Sequence, residues 1–126
     1  MKIILIRRSV IDSILSYARM CHPREDILLL RGKFRRDSII IEDIVIPPMS
    51  VRGEGFSTFP AHMLPLDLSI VGTAHSHPSG HLSPSTGDLN NFYGRIMIIA
   101  AYPYRSEDDI AVIDRWGKRI GYAVID

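Results

Sequence analysis

Apolar and polar positions alternate along the chain in short blocks that predict a strand, a helix and then a series of strands. Residues 2–6 form a brief apolar run typical of a strand. Apolar side chains then recur at intervals of three and four through residues 10–21, which predicts an amphipathic helix with one face on a sheet. Ser9 is expected to cap this helix, with Asp12 three residues later, and Pro23 is expected to end it.

The next blocks predict an antiparallel pair of strands followed by a long loop. Residues 27–30 are apolar and too few for a helix, and residues 38–46 are rich in β-branched side chains. The intervening residues 32–37 are expected to form a hairpin turn. Residues 47–60 contain Pro, Gly and Ser with few aliphatic side chains, which predicts the longest loop of the chain. A helical turn is expected at residues 61–65.

The second half of the chain predicts a strand, a short helix and three further strands. The first of these strands, at residues 68–74, leads into His75-Ser76-His77, and the helix is expected to begin at Ser83 or Ser85. The remaining strands are predicted at residues 96–101, 110–114 and 118–125. This mixed order of about six or seven strands and two principal helices predicts an α/β (α+β) fold, with a central mixed, mostly antiparallel sheet flanked by helices.

Composition adds limits to this picture. The length of 126 residues, with 46% hydrophobic and 23% charged side chains, predicts one domain spanning residues 1–126. A net charge of +1 does not favour nucleic acid as a partner. Apolar runs are shorter than the roughly 20 residues of a membrane helix, and Arg7-Arg8 follow the first run instead of a cleavage site, so we expect a cytoplasmic protein. The single cysteine, Cys21, cannot form an internal disulfide and is expected in the core.

Three side chains around the strand that ends near residue 77 have the chemistry of a metal site. His75 and His77 are two residues apart, so in a strand their rings point to the same face. Asp88 adds a carboxylate from the expected first turn of the following helix. Two imidazoles and one carboxylate suit Zn²⁺ with one coordination position open, which is typical of catalytic and not structural zinc.

These residues also have purely structural explanations. Ser85 and Asp88 are spaced as a capping box at a helix start, and that function is compatible with metal binding. The other histidines, His22, His62 and His81, are expected to be ordinary surface or core residues, although His81 lies in the loop between the proposed ligands and could approach the site. A hydrolytic zinc site also needs a base, and the residues alone do not indicate which carboxylate serves.

The order of these residues resembles the signature of the JAMM (MPN+) zinc metalloproteases: an upstream glutamate, then His-x-His-Pro, six residues, Ser, two residues and Asp. The matching positions are all unsubstituted: Glu25, His75, His77, Pro78, Ser85 and Asp88. The resemblance covers almost the whole chain and is that of a compact prokaryotic or archaeal member, with a JAMM/MPN (cytidine-deaminase-like) core. It implies one Zn²⁺ per chain, with Glu25 as general base and Ser85 as hydrogen-bond donor to the oxyanion.

The resemblance further implies a substrate and partner. JAMM enzymes commonly cleave the isopeptide or peptide bond after the C-terminal Gly-Gly tail of a ubiquitin-like protein, and such a tail can add to a sheet edge as an extra strand. Residues 49–59 are a candidate wall of the groove. The long insertions of some eukaryotic members are absent, which argues against narrow specificity for one ubiquitin linkage.

Three alternatives differ in class or substrate. A nucleoside deaminase would need His-x-Glu and a later Pro-Cys-x-x-Cys, which the sequence lacks. A non-catalytic MPN-type scaffold is expected to have a broken metal motif, whereas this motif is complete. Processing of a ubiquitin-like sulfur-carrier protein remains an open alternative that keeps the same chemistry. The sequence does not determine the oligomeric state.

Overall fold

The structure is a computed structural model that describes residues 2–47 and 68–126, and this part of the chain contains eight strands, two α-helices and one short 3-10 helix. In chain order these are β1 (Ile3–Arg7), α1 (Arg8–Cys21), β2 (Ile27–Phe34), β3 (Ser38–Val45), β4 (Ile70–His77), α2 (Thr86–Asn90), β5 (Ile96–Ala101), the 3-10 helix (Glu107–Asp109), β6 (Ile110–Ile113), β7 (Arg119–Ile120) and β8 (Ala123–Ile125). The predicted helical turn at residues 61–65, the groove wall at 49–59 and His62 lie outside the described residues.

All eight strands belong to one mixed sheet with the order β7-β6-β5-β4-β2-β3-β1-β8. Four of its seven pairings are antiparallel, and β1 with β3, β1 with β8 and β4 with β5 are parallel. The predicted central mixed sheet flanked by helices is therefore confirmed. Because β1, β3, β4 and β5 run in the same direction, their carboxyl ends share one end of the sheet.

The sheet curls until its two edges approach each other. Strand β7 ends at Ile120 and strand β8 begins at Ala123, yet the two strands occupy opposite ends of the strand order. Three Cα steps of 3.80 Å span at most about 11 Å, so the edges of the sheet lie within that distance. The prediction of one strand over residues 118–125 is wrong, because the chain passes from one edge of the sheet to the other at Gly121 and Tyr122.

The two faces of the sheet carry different layers. On the face covered by α1, side chains from six strands pack with the apolar stripe of the helix, whose buried members are Val10, Ile11, Ile14, Leu15 and Ala18. On the other face, Met97, Ile99 and Ile113 pack against Leu89 of α2 and its neighbours Leu82 and Phe92. Each face therefore has its own apolar core.

Helix α1 ends at Cys21 as predicted, but it begins two residues earlier than predicted. It begins at Arg8, with Arg7 at the N-cap and no side-chain hydrogen bond there, so Ser9 is not the cap. Strand β1 runs directly into the helix, and the end of the strand sets the helix start instead of a capping side chain. Cys21, expected in the core, is only partly buried because it is the last residue of the helix.

Strand β2 also extends further than predicted. It continues through Gly32 to Phe34, and Gly32 pairs with Ile41 of β3 across a register shift at Arg31 and Gly32. The turn is therefore shorter than the predicted residues 32–37. The reason is steric: a Cβ at Gly32 would lie 2.1 Å from the carbonyl oxygen of Ile40, so this glycine permits a close strand approach and does not form a turn.

No helix in the described part of the chain is long and apolar enough to cross a membrane.

Candidate metal centre

The two histidines of the candidate metal centre end the central strand β4. Their rings lie on the face of α2, because His75 pairs with Ile99 of β5 and Ile99 packs against Leu89. His75 and His77 are 2% and 8% exposed, so both imidazoles are largely removed from water. The predicted common orientation of the two residues follows from the strand, which continues through His77 and does not stop at Ala74.

Asp88 reaches the histidines from helix α2. Ser85 is the N-cap of this helix, and its hydroxyl accepts a hydrogen bond from the Asp88 amide at 3.0 Å. In return, Asp88 Oδ2 accepts from the Ser85 amide at 2.9 Å. The predicted capping box is confirmed, with Ser85 and not Ser83 as the cap. It fixes the Asp88 side chain before any ligand binds.

The carboxylate of Asp88 meets both imidazoles. His77 Nε2 lies 3.0 Å from Asp88 Oδ2, and His75 Nδ1 lies 3.6 Å from Asp88 Oδ1. Burial raises the pKa of Asp88, but the hydrogen bonds from His77 and from the Ser85 amide and the charges of both histidines outweigh it and lower this pKa to about 2. Asp88 is therefore an anion that is 1% exposed and ready to ligate a cation.

The hydrogen bonds of His77 determine which of its nitrogens can bind a metal. Its Nδ1 lies 2.9 Å from the carbonyl oxygen of His81, and a carbonyl only accepts, so Nδ1 carries a proton and donates it. Burial lowers the pKa of His77, yet the Asp88 and His81 bonds and the charges of Asp88 and Glu25 raise it overall. The second proton of the charged ring thus lies on Nε2 and points to Asp88. A metal ion would replace that proton, with Nδ1–H and the His81 carbonyl orienting the ring.

The residues fit zinc by donor type and by spacing. Nowhere in residues 2–47 and 68–126 do three or more His, Cys, Asp or Glu side chains already stand as a preformed metal-binding group. In tetrahedral zinc sites, however, ligand atoms at about 2.0–2.1 Å from the metal lie about 3.3 Å from one another. The separations of 3.0 Å from Asp88 Oδ2 to His77 Nε2 and of 3.6 Å from Asp88 Oδ1 to His75 Nδ1 bracket that value.

Glu25 lies two residues before β2, the strand that pairs with the histidine-bearing strand β4. The amide of Ser76 donates to the Asp26 carbonyl at 3.1 Å, which extends the pairing of β2 with β4 by one residue beyond Ile27 and His75. The Asp26 amide in turn donates to the Ser76 hydroxyl at 2.6 Å. These bonds hold the backbone beside His77 where Glu25 leaves the sheet, and the Glu25 side chain is exposed.

A cleft of about 230 Å³ joins the proposed catalytic residues. Glu25, His77 and Ser85 all line it, and so do His81 and Ser83. The structure therefore brings Glu25, about 50 residues before His77 along the chain, to the cleft that His77 lines. His81 was expected to be an ordinary surface residue; its side chain is exposed on the rim of this cleft, and its carbonyl orients His77.

His22, Tyr102 and Tyr104 form an aromatic cluster near Glu25 that the sequence pattern did not predict. The ring of His22 stacks on Tyr102 at 4.6 Å, and His22 Nδ1 lies 3.2 Å from the Tyr104 hydroxyl. Tyr104 is 1% exposed and has a positive φ of 60°, which is uncommon for a residue other than glycine. Arg19 donates to its carbonyl. The cluster joins His22, which follows α1 and lies three residues before Glu25, to the residues after β5. In the sequence, only the run Tyr102-Pro103-Tyr104 indicates an unusual turn at this point.

Comparison with solved structures agrees with this fold. Solved structures of the same fold include a JAB1/MPN domain protein from Archaeoglobus fulgidus, with a TM-score of 0.72 and 29% identity over the whole of both chains. Another, described as a metalloprotease-like zinc site (JAMM) in the proteasome and signalosome, has a TM-score of 0.72 and 27% identity over 99% of this chain and all of that chain.

The sequence comparisons establish the family. Residues 7–116 match Prok-JAB, the prokaryotic homologs of the JAB domain, and the chain belongs to this family. A probable metalloprotease of Haloferax volcanii is 33% identical over an alignment of 132 positions, which covers 99% of this chain and 81% of that relative. The resemblance to a compact prokaryotic JAMM/MPN member is thereby confirmed.

Proposed function

We propose that this chain is a zinc metallopeptidase that hydrolyses the isopeptide or peptide bond after the Gly-Gly tail of a ubiquitin-like protein. The observation that carries the proposal is the convergence of His75, His77 and Asp88 at one end of β4, with Glu25 and Ser85 on the same cleft. The name of the Haloferax volcanii relative and the zinc site of the solved JAMM structure support a metal-dependent hydrolase.

In this proposal His75, His77 and Asp88 hold one Zn²⁺. Zinc bound there would supply Lewis acidity and would lower the pKa of water well below its ordinary value, to about 7. The two histidines act as neutral ligands and Asp88 as an anionic one, so binding displaces the proton of His77 Nε2. The capping box and the His81 carbonyl fix the ligand orientations.

Glu25 is proposed as the general base. Its exposed carboxylate lines the cleft beside His77, where it can accept a proton from the attacking water and pass it to the leaving amine. A carboxylate buried among the ligands would be held in ion pairs; an exposed one remains available for proton transfer.

Ser85 is proposed to stabilise the oxyanion. Its oxygen accepts the hydrogen bond of the Asp88 amide, which leaves the hydroxyl proton free to donate. A donor fixed in place by helix α2 requires no reorganisation when negative charge develops on the substrate oxygen. Ser85 thus serves both the helix and the proposed reaction.

Cleavage of two defined substrates tests this function. A ubiquitin-like protein linked through its Gly-Gly tail to a lysine side chain, and a linear Gly-Gly fusion, are incubated with zinc-loaded protein. We expect wild type to cleave at least one, Glu25→Gln to lose roughly 10²-fold or more in kcat, and Glu42→Gln on β3 to behave as wild type. Preference for the linear substrate would favour processing of a carrier protein over deconjugation.

Two results would contradict the proposal. Normal turnover by Glu25→Gln would show that another group is the base. Failure of the zinc-loaded wild type to cleave either substrate would exclude this substrate class and favour a scaffold that binds partners without hydrolysis.

A further inference from the structure

A second and larger cavity lies at the end of the sheet opposite the metal centre. It has a volume of about 690 Å³, within the range of ligand-binding sites. Its floor consists of Ile4, Ile39, Ile96 and Ile120, which belong to or pack against the core on the α1 face. Ile96 begins β5 and Ile4 lies near the start of β1, whereas the metal centre lies at the carboxyl end of β4. The two sites are therefore separate.

Two aromatic side chains form walls of this cavity and remain open to water. Trp116 is 81% exposed and Phe34 is 44% exposed, although both stand over an apolar floor. Trp116 is presented by the turn between β6 and β7, where Asp114 Oδ1 accepts from the amides of Trp116 and Lys118 at 2.9 and 3.0 Å. The turn is thus fixed by its own hydrogen bonds, and an exposed aromatic ring on it is available to a partner.

Positive charge surrounds the aromatic walls. Lys2 and Arg95 stand over the Phe34 ring at 5.7 and 5.5 Å from its centroid, and Arg115 adjoins Trp116 on the cavity wall. In the described part of the chain no carboxylate lies within ion-pairing distance of these three cations. Asp114, the carboxylate among the described lining residues, is occupied by the turn. The described lining therefore combines an apolar floor with three cations and one carboxylate at the rim, which is an excess of positive charge.

We propose that this cavity binds an acidic peptide segment of a partner protein, with an aliphatic side chain on the isoleucine floor and flanking carboxylates at the rim. The cations are divided between two walls, Lys2 and Arg95 at Phe34 and Arg115 at Trp116. That distribution matches several carboxylates spread along a chain and not the single compact charge of a phosphate. The branched aliphatic floor likewise suits a Leu or Ile side chain. Binding here leaves the metal centre open.

Trp116 provides a direct measurement because it is the only tryptophan of the chain. The probe is a synthetic nine-residue peptide with a central Leu-Ile pair flanked by Glu and Asp, titrated into metal-free protein while Trp116 fluorescence and heat of binding are followed. A second peptide carries Gln and Asn at the acidic positions. We expect saturable binding of the acidic peptide that weakens as salt rises, and at least roughly tenfold weaker binding of the amide peptide.

Arg→Gln variants test whether the acidic peptide binds in this cavity. Arg95→Gln and Arg115→Gln are each expected to weaken binding of the acidic peptide about threefold, and about tenfold together, whereas Arg105→Gln, which removes one charge from an exposed residue outside the lining, leaves it unchanged. Equal binding of both peptides, or equal effects of the Arg105 and cavity variants, would overturn the proposal. So would binding of adenosine monophosphate, tested as a small aromatic anion, by protein that binds neither peptide.

Discussion

At the scale of single residues, Asp88 is the centre of the candidate site, because it contacts both histidines and also caps helix α2. Its position explains why a capping box and a metal motif share the same two residues, Ser85 and Asp88. One hydrogen-bonded carboxylate can serve both purposes since each of its oxygens faces a different histidine. The structural explanation of this motif is confirmed, and it is compatible with the proposed role in metal binding.

The shifted pKa values of this pair predict the stability of metal-free protein. The pKa of Asp88 falls from 3.8 to about 2 on folding, so its contribution is present above about pH 4 and is lost as pH falls toward 2. The pKa of His77 is raised above 6.5, so its contribution is full below that value and is lost as pH rises through the folded value. The pair stabilises the fold most between about pH 4 and 6.5.

Urea unfolding in the presence of a chelator measures this effect. Between pH 5 and pH 2.5 we expect wild type to lose about 2 kcal/mol more of its free energy of unfolding than Asp88→Asn, which cannot titrate at this position. Identical pH profiles for the two proteins would show that the Asp88 carboxylate gains nothing from its histidine neighbours.

Substitution of Ser85 is expected to cause two separable losses, one of stability and one of turnover. Ser85→Ala removes the N-cap and should lower the free energy of unfolding by about 1 kcal/mol. It also removes the proposed oxyanion donor and should lower kcat by roughly 10²-fold. Ser85→Thr retains a hydroxyl and is the matched control for both measurements. A variant that loses stability but turns over normally would restrict Ser85 to the helix cap.

At the scale of elements, the close approach of the residues just before β5 to strand β4 depends on Gly94. It has a φ of +80°, and a Cβ there would lie 2.4 Å from the carbonyl oxygen of Val71. Gly94→Ala should therefore lower the free energy of unfolding by about 2 kcal/mol or more, through strain and displacement of β4. Gly121→Ala is the control, because a Cβ there meets nothing within 4 Å. Equal urea midpoints for the two variants would contradict this explanation.

The elements also show how much the sequence predicts. Strong apolar blocks located β1, α1, β3, β4 and β5 because burial on a sheet or helix face leaves a clear periodicity. The ends of helices and strands, and the breaks between neighbouring strands, were predicted less well. The start of α1 depends on β1, and the division of residues 118–125 depends on two partners at opposite edges; neither is local information.

The same distinction applies to the site. His75, His77 and Asp88 were recognisable from local spacing, whereas Glu25 depended on family resemblance because its neighbours in space come from β4. The contacts of His22 with Tyr102 and Tyr104 could not be predicted, since they join segments about 80 residues apart. Local patterns indicate candidate ligands, and the tertiary structure shows which residues surround them.

At the scale of the whole molecule, the curled sheet depends on its last strand. Strand β8 pairs with the outer edge of β1 through Leu5, Ile6 and Arg7, although it contains only three residues. A chain ending at Gly121 should unfold at lower urea concentration and associate, because the edge of β1 would be exposed. Removal of Asp126 alone is the control. An unchanged midpoint and a monomeric elution volume in the shorter chain would show that β8 is dispensable.

The central claim is that His75, His77 and Asp88 hold one zinc ion, and metal content measures it most directly. Each protein is stripped with chelator, loaded with excess Zn²⁺, desalted and analysed by plasma mass spectrometry. We predict one zinc per chain for wild type and for Glu25→Gln, and less than about a tenth of that for His77→Ala and Asp88→Ala. Full zinc content in the two ligand variants, or none in wild type, would contradict the claim.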